Sequence, residues 1–377
     1  MMIQMNIGLY LLARSGKGKI VCGAGEIIAR DNIIGTNFFP TLCQKHIMNK
    51  QNLFFIILLA VSAVLLSLGI IQKLRHSTKE VETGRRKLVI AVIPKGTINM
   101  WWDVVRQGAE KAAEEYGVEI RWNGPETETD REKQIQAVRD ALVQTVDAVV
   151  LGPNDFKALV RPIEEVHEKG IPCVIIDSAA DTDIHDAFAA TDNLAGGADA
   201  ARLLGKAMGG QGSVLLIKYV PNSASTDDRA KGFRETLAKE FPGITILAED
   251  YTDGTVEGAR QKTSDLLSRF PQTTGVFAVN QPSAVGAYKA IQAQGKAGTI
   301  KYVGFDSDSL LVQAIEDGTC VGLIVQDPLQ IGYLGVETAV KLLNGGKPAR
   351  DIPVPSMIVT IENVAEKKQT HAAALGL

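Results

Sequence analysis

The chain has 377 residues, and its 45% hydrophobic and 22% charged residues are the balance of a folded globular protein, which excludes a disordered chain. The length predicts about two domains, and the net charge of −3 gives none of the basic excess that nucleic-acid-binding surfaces carry. The cysteines have no CxxC spacing, which argues against a zinc site or a disulfide framework: Cys22, Cys43, Cys173 and Cys320. Cys173 and Cys320 lie in apolar runs and are expected to be buried thiols.

The N-terminal segment predicts export. Residues 53–71 form an apolar run of 19 residues without a charge, which is long enough to cross a bilayer as a helix. The preceding MNKQN resembles the start of an export signal, so we expect Met48 to be the true start and residues 1–47 to be unstructured or not translated. Residues 48–86 then hold a signal or anchor and a polar linker.

Whether this segment is cleaved is open. Neither an A-x-A site nor a cysteine stands directly after the apolar run, which favours an uncleaved anchor over a cleaved signal or a lipoprotein. More basic residues follow the run than precede it, and the positive-inside rule alone would keep the main domain in the cytoplasm. The ligand-binding function that the residues at the strand ends predict outweighs that count of basic residues.

From residue 88 onward, short apolar runs alternate with longer amphipathic ones. Between two such runs, segment 127–144 has Ile135, Val138 and Leu142 at helical spacing, with Thr129 and Glu132 forming a capping box. The alternation predicts an α/β fold of two parallel sheets with helices on both faces. The predicted strands are β-branched and apolar throughout, as strands covered on both faces are: 88–93, 118–122, 147–152, 172–177, 213–218, 245–249, 275–280, 302–306 and 320–326.

Polar side chains follow the carboxyl ends of these strands, where ligands bind in open parallel sheets. Carboxylates, amides and a guanidinium suit a neutral sugar or polyol, whose hydroxyls each donate and accept, and an indole can cover its C–H face. One arginine against two aspartates is too little positive charge for a phosphate. The candidate ligand-binding residues are Asn99, Trp101, Trp102, Asp177, Arg229, Asn280, Asp306 and Gln326.

Each candidate also has a purely structural interpretation. Asp177, Asp306 and Asn280 are residue types that cap helices, Arg229 could form a surface ion pair, and one of the two tryptophans is expected to pack in the core. No catalytic motif of the G-x-S-x-G or H-E-x-x-H type is present, so we expect a protein that is not an enzyme.

At these residues the chain resembles the type 1 periplasmic binding proteins, especially the ribose-binding branch of sugar receptors of ABC transporters, over about residues 87–363. The resemblance departs from the ribose binders at Ser178, where they have Arg, at Gly152, where they have Asn, and at residues 251–253, where they have an aromatic. The bound sugar is therefore open. The matching motifs are NMWW at 99–102, IPCVIID ending at Asp177, ATDN at 190–193, RAKGF from Arg229, VFAVN ending at Asn280, VGFD ending at Asp306 and IVQDPLQIGY around Gln326.

The resemblance implies two doubly wound parallel-sheet lobes joined by a three-crossover hinge. Lobe 1 would hold residues 87–191 and 327–355, lobe 2 would hold 192–326 and 356–364, and 365–377 would form a tail. The ligand would close the lobes by hinge motion, and the closed form would dock on the membrane permease of an ABC importer.

The family further implies a periplasmic or cell-surface monomer that needs no cofactor or metal and binds no nucleic acid. A sensory sugar receptor that signals to a chemoreceptor or kinase has the same fold and stays open as an alternative. A sugar-responsive repressor also shares the fold, but an apolar run stands where its helix-turn-helix would be.

Overall fold

We analysed a computed structural model of the chain, which describes residues 86–377. The predicted start at Met48, the apolar run 53–71 and nearly all of the linker lie outside the described residues. Within the described part, the structure contains no helix of sufficient length and apolar character to cross a membrane.

The first sheet has six parallel strands in the order β2-β1-β3-β4-β5-β11. Three of them are continuous runs of buried side chains, as expected for strands covered on both faces, and β5 is buried except at Phe188. Their bounds are β1 (Val89–Ile93), β2 (Glu119–Trp122), β3 (Ala148–Leu151), β4 (Cys173–Ile176), β5 (Ala187–Thr191) and β11 (Asp351–Val354).

The second sheet repeats this arrangement, with the strand order β7-β6-β8-β9-β10-β12. Five of its strands are parallel, and β12 runs antiparallel to β10. The two orders correspond position by position, so β4 and β9 are equivalent strands. The bounds are β6 (Gln211–Lys218), β7 (Gly243–Tyr251), β8 (Gly275–Ala278), β9 (Lys301–Phe305), β10 (Gly322–Val325) and β12 (Met357–Val359).

Helices cover both faces of each sheet. Alternate residues of β1 belong to different apolar clusters, Ile90 on one face and Val89 on the other, and Val214 and Leu215 divide β6 in the same way. The helices are α1 (Met100–Tyr116), α2 (Arg131–Val143), α3 (Val160–Glu168), α4 (Asn193–Ala207), α5 (Ala224–Glu240), α6 (Val256–Arg269), α7 (Gln281–Ala293), α8 (Ser309–Glu316), α9 (Pro328–Leu343) and α10 (Val364–Thr370).

The chain crosses between the two sheets three times. It leaves the first sheet after β5, because α4 packs on the second sheet, and it returns after β10, because α9 packs on the first. The third crossing joins β11 to β12. The predicted fold class, two doubly wound parallel-sheet lobes with three crossovers, is confirmed.

Three strands were absent from the sequence prediction: β5, β11 and β12. The first is alanine-rich, the second contains Pro353 and lies at a sheet edge, and the third has only three residues. The capping box at Thr129 is also wrong, since Asp130 caps α2 by accepting from the Lys133 amide. Beyond α10, a short 3₁₀ turn (Ala373–Leu375) buries Leu375 in the core of the second lobe.

Candidate functional site

A polar pocket lies between the carboxyl ends of the two sheets. All eight candidate ligand-binding residues line it, although they come from loops and helices of both lobes. Ser225, Thr226, Gln281 and Pro282 complete its walls together with Lys95 and Glu128, two residues that the sequence analysis did not include.

Lobe 1 contributes a buried ion pair to this pocket. The Lys95 ammonium lies 2.6 Å from the Asp177 carboxylate, and both side chains are about 5% exposed. Lys95 also donates to the Ser225 hydroxyl of lobe 2 at 3.1 Å, and the Ser225 amide donates to Ser178 Oγ at 3.1 Å. These bonds join the two lobes at the pocket, so the structure represents a closed arrangement.

Lobe 2 contributes a second buried pair, Arg229 and Asp306, whose charged groups lie 3.6 Å apart. Arg229 donates to Asn193 Oδ1 and to the Val279 carbonyl, and its guanidinium lies over the Phe305 ring. Burial raises the pKa of Asp306, while the positive charge of Arg229 opposes that rise. Each lobe therefore supplies one buried cation–carboxylate pair to a single pocket.

Asp177 and Asp306 occupy equivalent positions in the two lobes, one residue after β4 and after β9. Both have left-handed backbones, with φ of 62° and 64°, which is uncommon for a residue other than glycine. Their amides donate to the next strand, to Ala189 and to Ile324. Neither caps a helix that begins beside it, so the simple capping interpretation of both residues is wrong. Non-glycine residues held in such uncommon backbone conformations cluster at active sites and ligand clamps.

The capping interpretation is correct for Asn280, and Asn99, for which it was not considered, also caps a helix. Asn99 Oδ1 accepts from the Trp101 amide and caps α1, and Asn280 Oδ1 accepts from the Ser283 amide and caps α7. Because each cap uses the amide oxygen, the NH₂ group is the part of the side chain that remains for a ligand.

The two tryptophans have different surroundings. Trp102 is 1% exposed, and its Nε1 donates to Glu128 Oε1 at 2.9 Å. Its ring also covers Gly152, where a Cβ would come within 2.8 Å of the indole. Gly152, which stands where the ribose binders have Asn, therefore leaves room for the large Trp102 ring. Trp101 is only partly buried and packs edge-on against Trp102.

Two buried polar atoms at the pocket have no hydrogen-bond partner among the described residues. They are the donor Trp101 Nε1 and the acceptor Gln326 Oε1, whereas Gln326 Nε2 donates to Asp306 at 2.7 Å. Unsatisfied buried polar groups are rare and call for a ligand or water. One free donor and one free acceptor match a hydroxyl group, which does both.

Lys95 and Glu128 change the charge balance expected from the sequence. The pocket holds two cations and three carboxylates, not one cation and two. Burial raises the pKa of Glu128, and the nearby Lys95 opposes that rise. Lys95 lies two residues past β1, so the rule that identified the other candidates, a polar residue beyond the carboxyl end of a strand, also applies to it. Glu128 lies six residues past β2, in a loop that the sequence analysis had assigned to the helical segment 127–144.

Two further departures from the ribose-binder pattern have structural explanations. Ser178 accepts the Ser225 amide, and Lys95 supplies the positive charge beside Asp177 that an Arg at position 178 would bring. Tyr251 lies outside the pocket and donates to Asp227. The described residues contain no cluster of side chains suited to a metal ion.

A family model for the periplasmic binding protein domain matches residues 90–347. The chain belongs to the periplasmic binding protein family. The family assignment made from the motifs is therefore confirmed. This periplasmic binding protein is 29% identical over 285 residues to the ribose import binding protein of Bacillus subtilis (strain 168), a match that covers 75% of the chain and 90% of the relative.

Solved structures of sugar complexes are also similar. A carbohydrate transporter solute binding protein from Agrobacterium radiobacter, in complex with D-arabinose, is 32% identical with a TM-score of 0.74, over 77% of this periplasmic binding protein and 100% of that chain. An ABC transporter solute binding protein from Agrobacterium vitis, with bound D-fucose, is 32% identical with a TM-score of 0.72, over 77% and 99% of the two chains.

Proposed function

We propose that this chain is the extracytoplasmic substrate-binding protein of an ABC importer, and that it binds a monosaccharide unit or a related polyol between its two lobes. The lobes would be residues 87–191 with 327–355 and residues 192–326 with 356–364. Its activity is binding without catalysis, as a monomer without a cofactor. Residues 53–71 would export it or anchor it outside the cytoplasm.

The observation that carries this proposal is the composition of the interlobe pocket. Each lobe contributes one buried cation–carboxylate pair, Lys95 with Asp177 and Arg229 with Asp306. One relative is named for ribose import, and the two solved structures contain D-arabinose and D-fucose, all of them neutral polyhydroxylated ligands. A mixed-charge pocket with free amide donors suits such a ligand better than a phosphate or a carboxylate.

Within this pocket we assign roles to the eight candidates. Asp177, Asp306 and Arg229 would bind sugar hydroxyls through charge-assisted hydrogen bonds. Asn99 and Asn280 would donate through their NH₂ groups. Trp101 Nε1 would donate to the sugar and Gln326 Oε1 would accept from it. Trp102 would form the rigid floor beneath Trp101.

A thermal-shift screen tests the function. The panel is D-ribose, D-allose, D-arabinose, D-fucose, D-tagatose and xylitol, with a sugar acid and a sugar phosphate as negative ligands. A ligand that binds only the native state at one hundred times its dissociation constant should raise the Tm by about 5–10 °C. The absence of a shift with every neutral sugar and polyol, or a shift with the charged ones alone, would contradict the proposal.

A further inference from the structure

A second and larger cavity adjoins the polar pocket in the same cleft. The empty space in it is about 870 Å³, against about 340 Å³ in the inner pocket. Both cavities are lined by Asn99, Glu128, Gln281 and Pro282, so these four residues form the passage between them. We refer to this second space as the outer cavity.

The outer cavity differs from the inner pocket in chemistry. Ile98 and Met100 form part of its wall. They are large apolar side chains exposed to solvent, at 72% and 45%. Val256 and Pro282 add further apolar surface. Such neighbouring apolar groups gain free energy when a ligand covers them.

Its charges are all of one sign. Glu126, Glu128 and Asp253 line the outer cavity, and its lining in the described structure includes no Lys, Arg or His. Asp253 accepts from the backbone and hydroxyl of Thr255, and these bonds lower its pKa, so it is charged at neutral pH. An anionic group would be repelled here, while a hydroxyl group could donate to a carboxylate.

We propose that the outer cavity is a subsite for a second sugar ring, so that the ligand is an uncharged glycoside whose first unit fills the inner pocket. This inference rests on the proposed sugar-binding function and extends it. An uncharged sugar ring fits both features of the wall, because its C–H face covers Ile98 and Met100 and its hydroxyls donate to the carboxylates. A phosphorylated extension would meet three carboxylates and no cation.

Calorimetry on the full chain tests the subsite with matched pairs. The probes are D-glucose against maltose, isomaltose and cellobiose, D-galactose against lactose and melibiose, and glucose 6-phosphate as the anionic control. We expect at least one disaccharide to bind about tenfold or more tightly than its free monosaccharide, and the phosphate to bind more weakly than glucose. If every disaccharide binds more weakly than its monosaccharide, or the phosphate binds most tightly, the inference is overturned.

Two variants locate the effect. Ile98→Ser removes an apolar contact from the outer cavity, and we expect it to weaken the tightest disaccharide about fivefold while leaving the monosaccharide unchanged. Val143→Ser is the control, since Val143 is 82% exposed and lies outside both cavities. An equal effect of Ile98→Ser on both ligands would reject the subsite. If no probe binds and the thermal-shift panel of neutral sugars and polyols also gives no shift, the proposed function itself fails. If a sugar of that panel binds and no disaccharide does, only the subsite is rejected.

Discussion

The carboxylate of Asp306 is enclosed by partners on several sides. Its oxygens accept from the Gln281 amide at 3.2 Å and from Gln326 Nε2 at 2.7 Å, and the Arg229 guanidinium lies beside it. Because these donors are buried, a neutral side chain here would leave Arg229 without its counter-charge. Its partners lie on α5, at the start of α7 and just past β10, where these elements meet at the pocket.

We expect Asp306→Asn to weaken sugar binding by about 2–3 kcal/mol while the domain stays folded, because it removes charge-assisted hydrogen bonds. Asn also tolerates the left-handed backbone at this position. Calorimetry with the cognate sugar measures the change. Asp308→Asn is the matched control: Asp308 caps α8 outside the pocket, and Asn caps helices equally well. Equal affinities for Asp306→Asn and the parent would mean that the pocket is wrongly identified.

Glu128 gives the stability of the protein a predictable pH dependence. Its folded-state pKa is raised by burial, so between the unfolded and folded pKa values the native state holds more protons than the unfolded chain. Native stability is therefore lost as the pH rises through that window. Glu128→Gln does not titrate, and its Tm relative to the parent should increase from about pH 4 upward.

Unfolding of the two proteins between pH 4 and pH 8 measures this difference. Glu126→Gln is the control, because Glu126 stands two residues away with an exposed side chain. A difference in Tm between Glu128→Gln and the parent that stays constant with pH would contradict the raised pKa.

The unequal burial of the two pocket tryptophans predicts unequal fluorescence. Trp101 has an unpartnered indole nitrogen at the pocket, while Trp102 is held by Glu128 and covers Gly152. We expect the ligand-induced change in emission to disappear in Trp101→Phe and to persist in Trp102→Phe. Titration of each variant with the cognate sugar tests this, and the reverse pattern would make Trp102 the ligand platform.

At the scale of elements, each lobe contains a pair of helices that cross at glycine. A Cβ at Gly197 of α4 would overlap the Arg229 carbonyl of α5, and one at Gly332 of α9 would overlap the Val105 carbonyl of α1. Each glycine stands five residues after an aspartate that caps its helix, Asp192 or Asp327. The lobes therefore share a close helix contact as well as a strand order.

We expect Gly197→Ala and Gly332→Ala each to lower the free energy of unfolding by about 1–3 kcal/mol, since the helices must separate. Only Gly197→Ala should also weaken sugar binding strongly, because it displaces the backbone that carries Arg229. Denaturant unfolding and calorimetry separate the two effects. A comparable loss of affinity in both variants would show that the Arg229 backbone is not the cause.

The strands show what the sequence could predict. Nine strands were recognisable as runs of apolar, mostly β-branched residues, although β2 and β7 are only partly buried in the structure. By contrast, β5, β11 and β12 are small, proline-containing or very short. The candidate residues followed from a related rule: Asp177, Asn280, Asp306 and Gln326 lie within two residues of a strand end, and the other four lie in the loop or helix that follows a strand. Glu128 and the outer cavity did not, because both depend on loops whose path is set by tertiary packing.

At the scale of the whole molecule, the C-terminal residues belong to the packed structure. Leu375 is 0% exposed within the core of the second lobe, while Ala373 and Ala374 lie close to Trp101 and Val104 of the first. We expect Leu375→Ala to lower the free energy of unfolding by about 2–4 kcal/mol. Leu377→Ala, at a residue that is 51% exposed, should change it little. Denaturant unfolding compares the two, and equal values would contradict the burial of Leu375.

The three crossings have a consequence for the order in which the protein acquires its structure. Helix α9 covers one face of the first sheet, yet it pairs with α1 across more than two hundred residues of chain, as in the Tyr116–Glu337 hydrogen bond with its separation of 221 residues. The first lobe therefore stays incomplete until the second has been synthesised, and contacts of such long range form slowly. The first lobe thus lacks its final packing until nearly the whole chain has left the ribosome, a state that a translocation channel for extended polypeptide would require.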